Sequence, residues 1–462
     1  MSPQTLAGTL APEPARGGLR RFIAYLGPAT LISVGYIDPG NWATDLEGGA
    51  RFGHELLWVL VAANAIALLM QTLAARLGVI ARLDLAQACR AFYPRPIAYV
   101  LFAACELAIV ACDLAEVLGS AVALNLLFGL PLVVGALVTA LDALTLLALQ
   151  RAGIRKLESL VVVLLLTVGG CFAYECWLAE PTWTALRGAL SPRLDAASLY
   201  IGVAILGATV MPHNLYLHSS LVQTRMAPST AKAIQRALRY NLVDTLVALN
   251  VAFVINASIL VLAANVFHAS AIVVTDLREA QRLLSPLLGT TLAGLLFAVA
   301  LLAAGQSSTI TGTLAGQIAM QGFLRLRGSP LAVRFVTRAI AVFPAVALLA
   351  IEGDGATASL LVATQVVLSL QLPFALVPLI RFTASREVMG DYASVSWIRL
   401  LAWLGAALIV ACGAWLVAQM LAQTLSPAIV PVVAIVAVAG VVLLVYLACA
   451  PLRVRGAVTA NR

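Results

Sequence analysis

Asp38-Pro39-Gly40-Asn41 lies inside an apolar stretch that runs from about Tyr25 to Gly49, long enough to cross a bilayer. A carboxylate near the middle of a membrane helix costs about 2.5 to 3.5 kcal/mol on insertion scales. An interior proline removes a helix hydrogen bond at about 3 kcal/mol more. A segment that only anchors a protein carries neither, so the cluster marks a deliberate interruption of the helix. Carbonyls freed at such a break need a partner, and a carboxylate with an amide oxygen beside them makes an all-oxygen nest for a cation. Asp38 and Asn41 are the first candidate ligands.

The surrounding composition fits a polytopic membrane protein. Of 462 residues, 62% are hydrophobic and 11% charged, and the mean hydropathy is +0.98, whereas soluble domains carry about a quarter charged residues. The net charge of +8 does not point to nucleic acid, because the basic residues sit in short runs between apolar segments. The seven cysteines form no CxxC pair and lie in or beside apolar runs, which reads as core filling. Residues 1–24, with Pro12, Pro14, Arg16, Arg20 and Arg21 and no apolar core, read as a cytoplasmic tail rather than a signal peptide.

Windows of about 20 residues predict twelve spans, near 25–49, 56–78, 97–124, 130–150, 156–179, 197–220, 240–266, 288–320, 335–352, 356–380, 397–421 and 427–450. With the N-terminus inside, twenty-four basic residues fall on the cytoplasmic side and five outside, which predicts that both termini are cytoplasmic. The sixth span holds a second proline-centred interruption, Gly207-Ala208-Thr209-Val210-Met211-Pro212-His213-Asn214. Breaks in spans one and six, each opening a block of five, predict two inverted repeats of about 25–180 and 197–380 with the site between their broken helices. Spans eleven and twelve, in residues 381–462, then become peripheral.

The stretches Gly35-Tyr36-Ile37-Asp38-Pro39-Gly40-Asn41 and Met211-Pro212-His213-Asn214-Leu215-Tyr216-Leu217-His218-Ser219-Ser220 resemble the Nramp (natural resistance-associated macrophage protein) divalent-metal transporters. Further likeness lies in Asp113-Leu114-Ala115-Glu116-Val117, in Gly305-Gln306-Ser307-Ser308-Thr309-Ile310-Thr311-Gly312-Thr313, and in Gln365-Val366-Val367-Leu368-Ser369-Leu370-Gln371-Leu372-Pro373-Phe374. The resemblance runs nearly end to end. It implies an all-α LeuT-type fold with residues 25–380 as transport core, and proton-linked uptake of manganese, ferrous iron and similar ions such as cadmium and cobalt across the plasma membrane. Divalent metal, protons and the lipid bilayer are the expected partners, with no enzyme activity, cofactor, nucleic acid or obligatory protein partner.

The candidate site residues have a chemical logic of their own. Asp38 supplies a full negative charge, Asn41 a neutral amide oxygen, and Met211 a thioether that suits hard calcium or magnesium poorly. Met is usually core filler, but a place one residue before the break favours a ligand. The resemblance adds the backbone carbonyl of Ala208 and, as a state-dependent oxygen or water holder, Gln365. Glu106, Asp113 and Glu116 share roughly one face of span three, and intramembrane acids of this sort mark proton relays. The resemblance assigns Asp113 and Glu116 to a proton route, with Arg334 and Arg338 as pairing candidates. Related sequences often carry two adjacent arginines where this chain has Val333-Arg334. His213, just past the break, reads as a proton-responsive gate; His218, five residues on, suits packing or function. Asn256 reads as an interhelical hydrogen-bonder or a water-path residue, and the polar residues Gln306 to Thr313 as packing groups.

Three alternatives compete. A sodium-coupled amino-acid carrier of the same fold would place the substrate's carboxylate against Asp38, which repels it. An Nramp-related magnesium carrier should lack the Met211 thioether. An intramembrane metalloenzyme would need a motif such as HExxH, and between His213 and His218 there is no glutamate.

Overall fold

A computed structural model describes residues 25–139, 153–180, 195–225, 230–324, 330–352, 355, 357–419, 421–422 and 430–452. These residues form helices and turns, and none is in a strand. The principal helices are α1 Pro28–Ser33, α2 Pro39–Phe52, α3 Leu57–Ala81, α4 Leu85–Phe92, α5 Arg95–Phe128, α6 Leu132–Thr139, α7 Ile154–Leu178, α8 Ala196–Thr209 and α9 Pro212–Leu221. They continue as α10 Ala231–Ala263, α11 Leu277–Leu287, α12 Thr291–Ala319, α13 Pro330–Glu352, α14 Thr357–Gln371, α15 Pro373–Ala384, α16 Ser396–Gln419 and α17 Val430–Cys449. Among the described residues, nine helical segments are long and apolar enough to cross a bilayer, beside the shorter apolar segments Pro28–Ile37 and Val342–Ile351. The chain is a multi-pass membrane protein.

Both expected interruptions are present. The first span runs as α1, a 3-10 turn over Val34–Ile37, an extended Asp38 (φ −66°, ψ 162°), and then α2. The sixth runs as α8, a non-helical Val210 and Met211, and then α9. Proline decides where each second half begins, because Pro39 and Pro212 have no N–H to give the preceding turn yet suit the first helical position.

Burial separates centre from periphery. The most apolar window of the sixth span is 89% buried within the protein, against 33% for α16 and 6% for α17. The sixth span is therefore the wall of the interior, while the last two helices present most of their surface to lipid, as expected. Span four is described only over α6, and its expected remainder, residues 140–150, lies outside the described residues.

Three features differ from the sequence reading. Two short helices, α4 and α11, escape a window sized for membrane spans because they have 8 and 11 residues. Asp84 starts α4 through a capping box with Gln87, and Asp276 caps α11 by accepting from the Arg278 N–H at 2.7 Å. Span seven begins at Ala231, because Thr230 caps it ahead of the apolar run. Span ten is divided at Leu372, where Pro373 opens α15; proline removes the donor that the Ser369 carbonyl would otherwise use.

Close helix approach fixes the arrangement. A Cβ on Gly49 would run into the Leu260 carbonyl of α10 and come within 2.7 Å of Ala263 Cβ, so α2 and α10 touch backbone to backbone. At Gly207 the same test meets the Gln365 carbonyl at 2.5 Å and Ser369 on α14. Trp42 fastens α2 from the other side, with ring centroids 4.7 Å from Phe172 and 5.3 Å from Phe297. At the start of α1, Asp244 of α10 accepts from the N–H of Gly27 and of Ala29 (3.3 and 2.9 Å). Arg155 and Arg225 both donate to the Leu26 carbonyl while pairing with Glu158.

Gly49→Ala should therefore lower the melting temperature in detergent by several degrees, corresponding to roughly 1 to 3 kcal/mol of overpacking. Gly170→Ala, where a Cβ meets nothing within 4 Å, should leave it unchanged or raise it, since alanine favours a helix interior by up to about 1 kcal/mol. Equal melting shifts in the two variants would contradict the packing assignment.

Candidate metal site

The two interruptions face each other, and side chains close the gap. Asp38 caps α2: its Oδ1 accepts from the Asn41 backbone N–H at 2.9 Å and from Asn41 Nδ2 at 2.6 Å. Asn41 Nδ2 also donates to the Ala208 carbonyl at 3.1 Å. Ala208 stands four residues before Pro212, so its carbonyl is the one that the missing proline N–H leaves without a helical partner. Asn41 thus spans the two broken helices at the atom that the second break exposes. Gln365 arrives from α14, and its amide lies so close to Gly40 that a Cβ there would overlap it, with Asp38 Oδ2 only 3.1 Å from the same point.

Asp38, Asn41, Ala208, Met211 and Gln365 are each no more than 1% exposed, so the site is buried inside the bundle. Three oxygens there, Asp38 Oδ2, Asn41 Oδ1 and Gln365 Oε1, are buried with no hydrogen-bond partner. Buried acceptors left unsatisfied are uncommon and costly. A divalent ion fits this donor set, because it takes one carboxylate and two amide oxygens and offsets the Asp38 charge. Met211 is the N-cap of α9, and its Sδ receives Asn214 Nδ2 at 3.7 Å.

The rest of the unwound backbone is held in place. Asn256 of α10 donates to the Tyr36 carbonyl at 2.7 Å, which makes it an interhelical hydrogen-bonder. Trp42 Nε1 donates to the Ile37 carbonyl at 3.0 Å, and Asn214 Nδ2 lies 3.4 Å from the Ile32 carbonyl. His218 Nδ1 meets Gln71 Oε1 at 3.0 Å, and Gln71 Nε2 donates to the Tyr36 hydroxyl at 2.7 Å. This chain ties α9, α3 and the unwound turn together, so His218 has a positioning contact that the sequence reading left open.

The acids of span three divide by depth. Asp113 and Glu116 are buried, and both carboxylates press on Gly312 of α12, where a Cβ would come within 2.8 Å of Asp113 Oδ1 and 3.1 Å of Glu116 Oε1. Glu106 is only partly buried. The Ser307, Ser308, Thr309 and Thr311 hydroxyls bond back to carbonyls of their own helix, which agrees with a packing role for that polar run. The side chains of Arg334 and Arg338 lie outside the described residues, so their expected pairing has no geometry.

Cys112 was read as core filler and does more. Its Sγ lies 3.5 Å from Glu116 Oε1 and 3.7 Å from His213 Nε2, which links the acid pair to the residue after the second break. No spacing signal marks this, because Cys112 and His213 stand 101 positions apart. Asp45 carries no sequence signal of its own beyond a second acid on α2. It stands one turn past Asn41 on α2, fully buried, with neither carboxylate oxygen hydrogen-bonded.

Residues 29–419 match the family model for natural resistance-associated macrophage protein-like proteins. The chain belongs to the Nramp family. It is 53% identical over 395 residues to a protein of Xanthomonas campestris pv. campestris named divalent metal cation transporter MntH, covering 84% of this chain and 89% of that one. It is 50% identical over 376 residues to the natural resistance-associated macrophage protein 2 homolog of Dictyostelium discoideum, covering 81% of this chain and 60% of that one. Among solved structures, the Eremococcus coleocola manganese transporter in complex with an aromatic bis-isothiourea substituted compound superposes with a TM-score of 0.86. The identity there is 34%, over 96% of this chain and 97% of that one. Mhp1, a nucleobase-cation-symport-1 family transporter in a closed conformation, shares the fold alone at 14% identity and a TM-score of 0.57, over 94% and 95% of the two chains. This Nramp chain therefore has the LeuT-type architecture expected of it, and the relatives are named as transporters, not as enzymes.

In this Nramp chain Gly40→Ala should displace Gln365 and weaken manganese binding several-fold in isothermal titration. Adding the same change to Gln365→Ala should cost little more, because the amide it displaces is already gone. Fully additive losses would mean that Gly40 acts through the backbone and not through Gln365.

Proposed function

We propose that this chain is a secondary transporter that imports divalent transition-metal ions such as manganese, ferrous iron, cadmium and cobalt across the plasma membrane together with protons. Both termini are cytoplasmic in this reading. Residues 25–380 form the transport core as two inverted repeats, and residues 381–462 carry the two peripheral helices. The observation that carries the proposal is the Asp38 carboxylate, buried between two broken helices, whose Oδ2 lacks a hydrogen bond, as do Asn41 Oδ1 and Gln365 Oε1 beside it. A structural carboxylate would have paired with a cation of the protein or been replaced by an apolar group.

In the mechanism, the metal is substrate. The carbonyl ends of α1 and α8 turn partial negative charge toward the gap, and Asp38 adds the full charge that a divalent ion needs to give up water. Asn41, released from Ala208, turns its Oδ1 to the ion, and the Ala208 carbonyl follows. Met211 adds softness, which disfavours calcium and magnesium. The names of the relatives, divalent metal cation transporter and manganese transporter, support the cargo class. The proton is carried separately: His213 adjoins the metal break, Cys112 joins it to Glu116, and Asp113 lies beside Glu116 against Gly312.

In proteoliposomes, Asp38→Asn is expected to reduce manganese uptake to background with normal insertion, and Met211→Ala to let calcium or magnesium compete measurably. Substantial uptake by the first variant would sink the site assignment. Unchanged competition in the second would move selectivity from softness to cavity shape.

Metal flux and internal acidification measured together should separate the second function. Asp113→Asn and Glu116→Gln are expected to flatten the pH dependence of uptake and reduce metal-evoked acidification, with manganese affinity largely kept because the ligands lie on other helices. A proton-to-metal ratio and pH profile like those of the unaltered protein would leave span three structural.

A further inference from the structure

Asp45 is an acid of α2 that neither the metal ligands nor the acids of span three account for. It follows Asn41 by four residues and Asp38 by seven, which places all three on roughly one face of the helix. Contacts with α8 bracket it along that helix. Asn41 Nδ2 reaches the Ala208 carbonyl at 3.1 Å, and a Cβ on Gly48 would stand 3.4 Å from Ile201 and from Ile205. The stretch of α8 between those contacts, from Ile201 to Ala208, carries no ionisable side chain.

The Asp45 carboxyl is fully buried, and no group of the described protein bonds to either oxygen. The charged groups of the elements packed around α2 are engaged elsewhere or stand on other faces. Glu47 pairs with Arg51 at 3.0 Å, His268 Nδ1 lies 3.2 Å from the Ala50 carbonyl, and Glu116 meets Cys112 on α5, with Asp113 beside it against Gly312. Glu175 stands one turn past Phe172, whose ring packs on Trp42. On α10, Leu260 and Ala263 meet α2 at Gly49 and are apolar, and α14 brings the neutral Gln365 to Gly40. Asp38 is the ionisable group whose charge acts on Asp45, and seven residues of helix set them about 10 Å apart along the axis. An ionised carboxylate with neither a cation nor a hydrogen bond is too costly in such surroundings, so the form that suits them is the neutral acid.

We propose that Asp45 carries a proton while the Asp38 site is empty and releases it when a divalent ion binds there, so that one helix links metal charge to a proton. The inference rests on the reading of Asp38 as a metal ligand. In the empty site the negative charge of Asp38 holds the proton on Asp45, and a divalent ion reverses the sign of that charge. Over about 10 Å at an effective dielectric constant of about 20, the reversal weakens proton binding on the order of a hundredfold. One O–H bond breaks, the proton leaves to solvent, and the new carboxylate offsets the remaining positive charge of the ion. Metal affinity then rises with pH, because the empty protein holds one proton that the filled one lacks. The proton count of transport becomes the balance of this release and the route through span three.

Manganese titrations of the full-length protein in detergent, run in buffers of different ionisation enthalpy, count the protons released per ion. Asp45→Asn, which copies the shape of the neutral acid, should keep manganese binding, release about one proton fewer per ion and flatten the rise of affinity with pH. Infrared spectra give a readout with Asp45 intact. The metal-free protein should show a protonated-carboxyl C=O band that manganese removes and that Asp45→Asn lacks. An unchanged proton count in Asp45→Asn, no such band in the metal-free protein, or a band that survives manganese would overturn the proposal. Asp38→Asn separates the two readings. Manganese binding that survives that change overturns the site assignment and this inference with it, whereas lost binding beside a full proton count in Asp45→Asn overturns the Asp45 inference alone.

Discussion

The hydrogen bond from Asn41 to the Ala208 carbonyl concentrates the physical problem that the fold solves. A membrane interior offers no water to an exposed peptide group, so a broken helix is tolerated only where other protein groups take up the freed bonds. Here the takers come from α2 with its N-cap and from α10. Asn41 holds Ala208, Asn256 holds Tyr36, Trp42 holds Ile37, and Asp38 caps the new helix start. Each partner must be at the right depth, which constrains α2, α8 and α10 together.

This economy explains why the site is both rigid and unfinished. The backbone around the breaks is pinned, yet the side-chain oxygens of Asp38, Asn41 and Gln365 that face the gap remain unsatisfied. A fully satisfied polar network would stabilise the protein and leave nothing for an ion. An unsatisfied one costs stability, and such costs are found where function requires them. Helix contacts supply the compensation: Gly49 and Gly207 let backbones approach, and Trp42 packs between Phe172 and Phe297.

The link from His213 through Cys112 to Glu116 joins the proposed metal site to the proposed proton route. The proposed metal ligands sit on the broken spans and α14, while the acids sit on α5 facing α12. One thiol connects them, and its weak hydrogen bonds make a link that is looser than a hydroxyl would give.

Much of this was legible without coordinates. The length and apolarity of the spans and the positions of Pro39 and Pro212 determine that the helices break there, because bilayer thickness and backbone bonding leave few other outcomes. The short helices α4 and α11 and the division of span ten at Leu372 were less legible, since they depend on capping and on proline rather than on apolar length. Only the tertiary structure decided which groups meet. Cys112 with His213 and Asn256 with Tyr36 are separated by 101 and 220 positions. Local spacing carries no information about such contacts, because they are created by helices crossing at the depth where each side chain happens to sit.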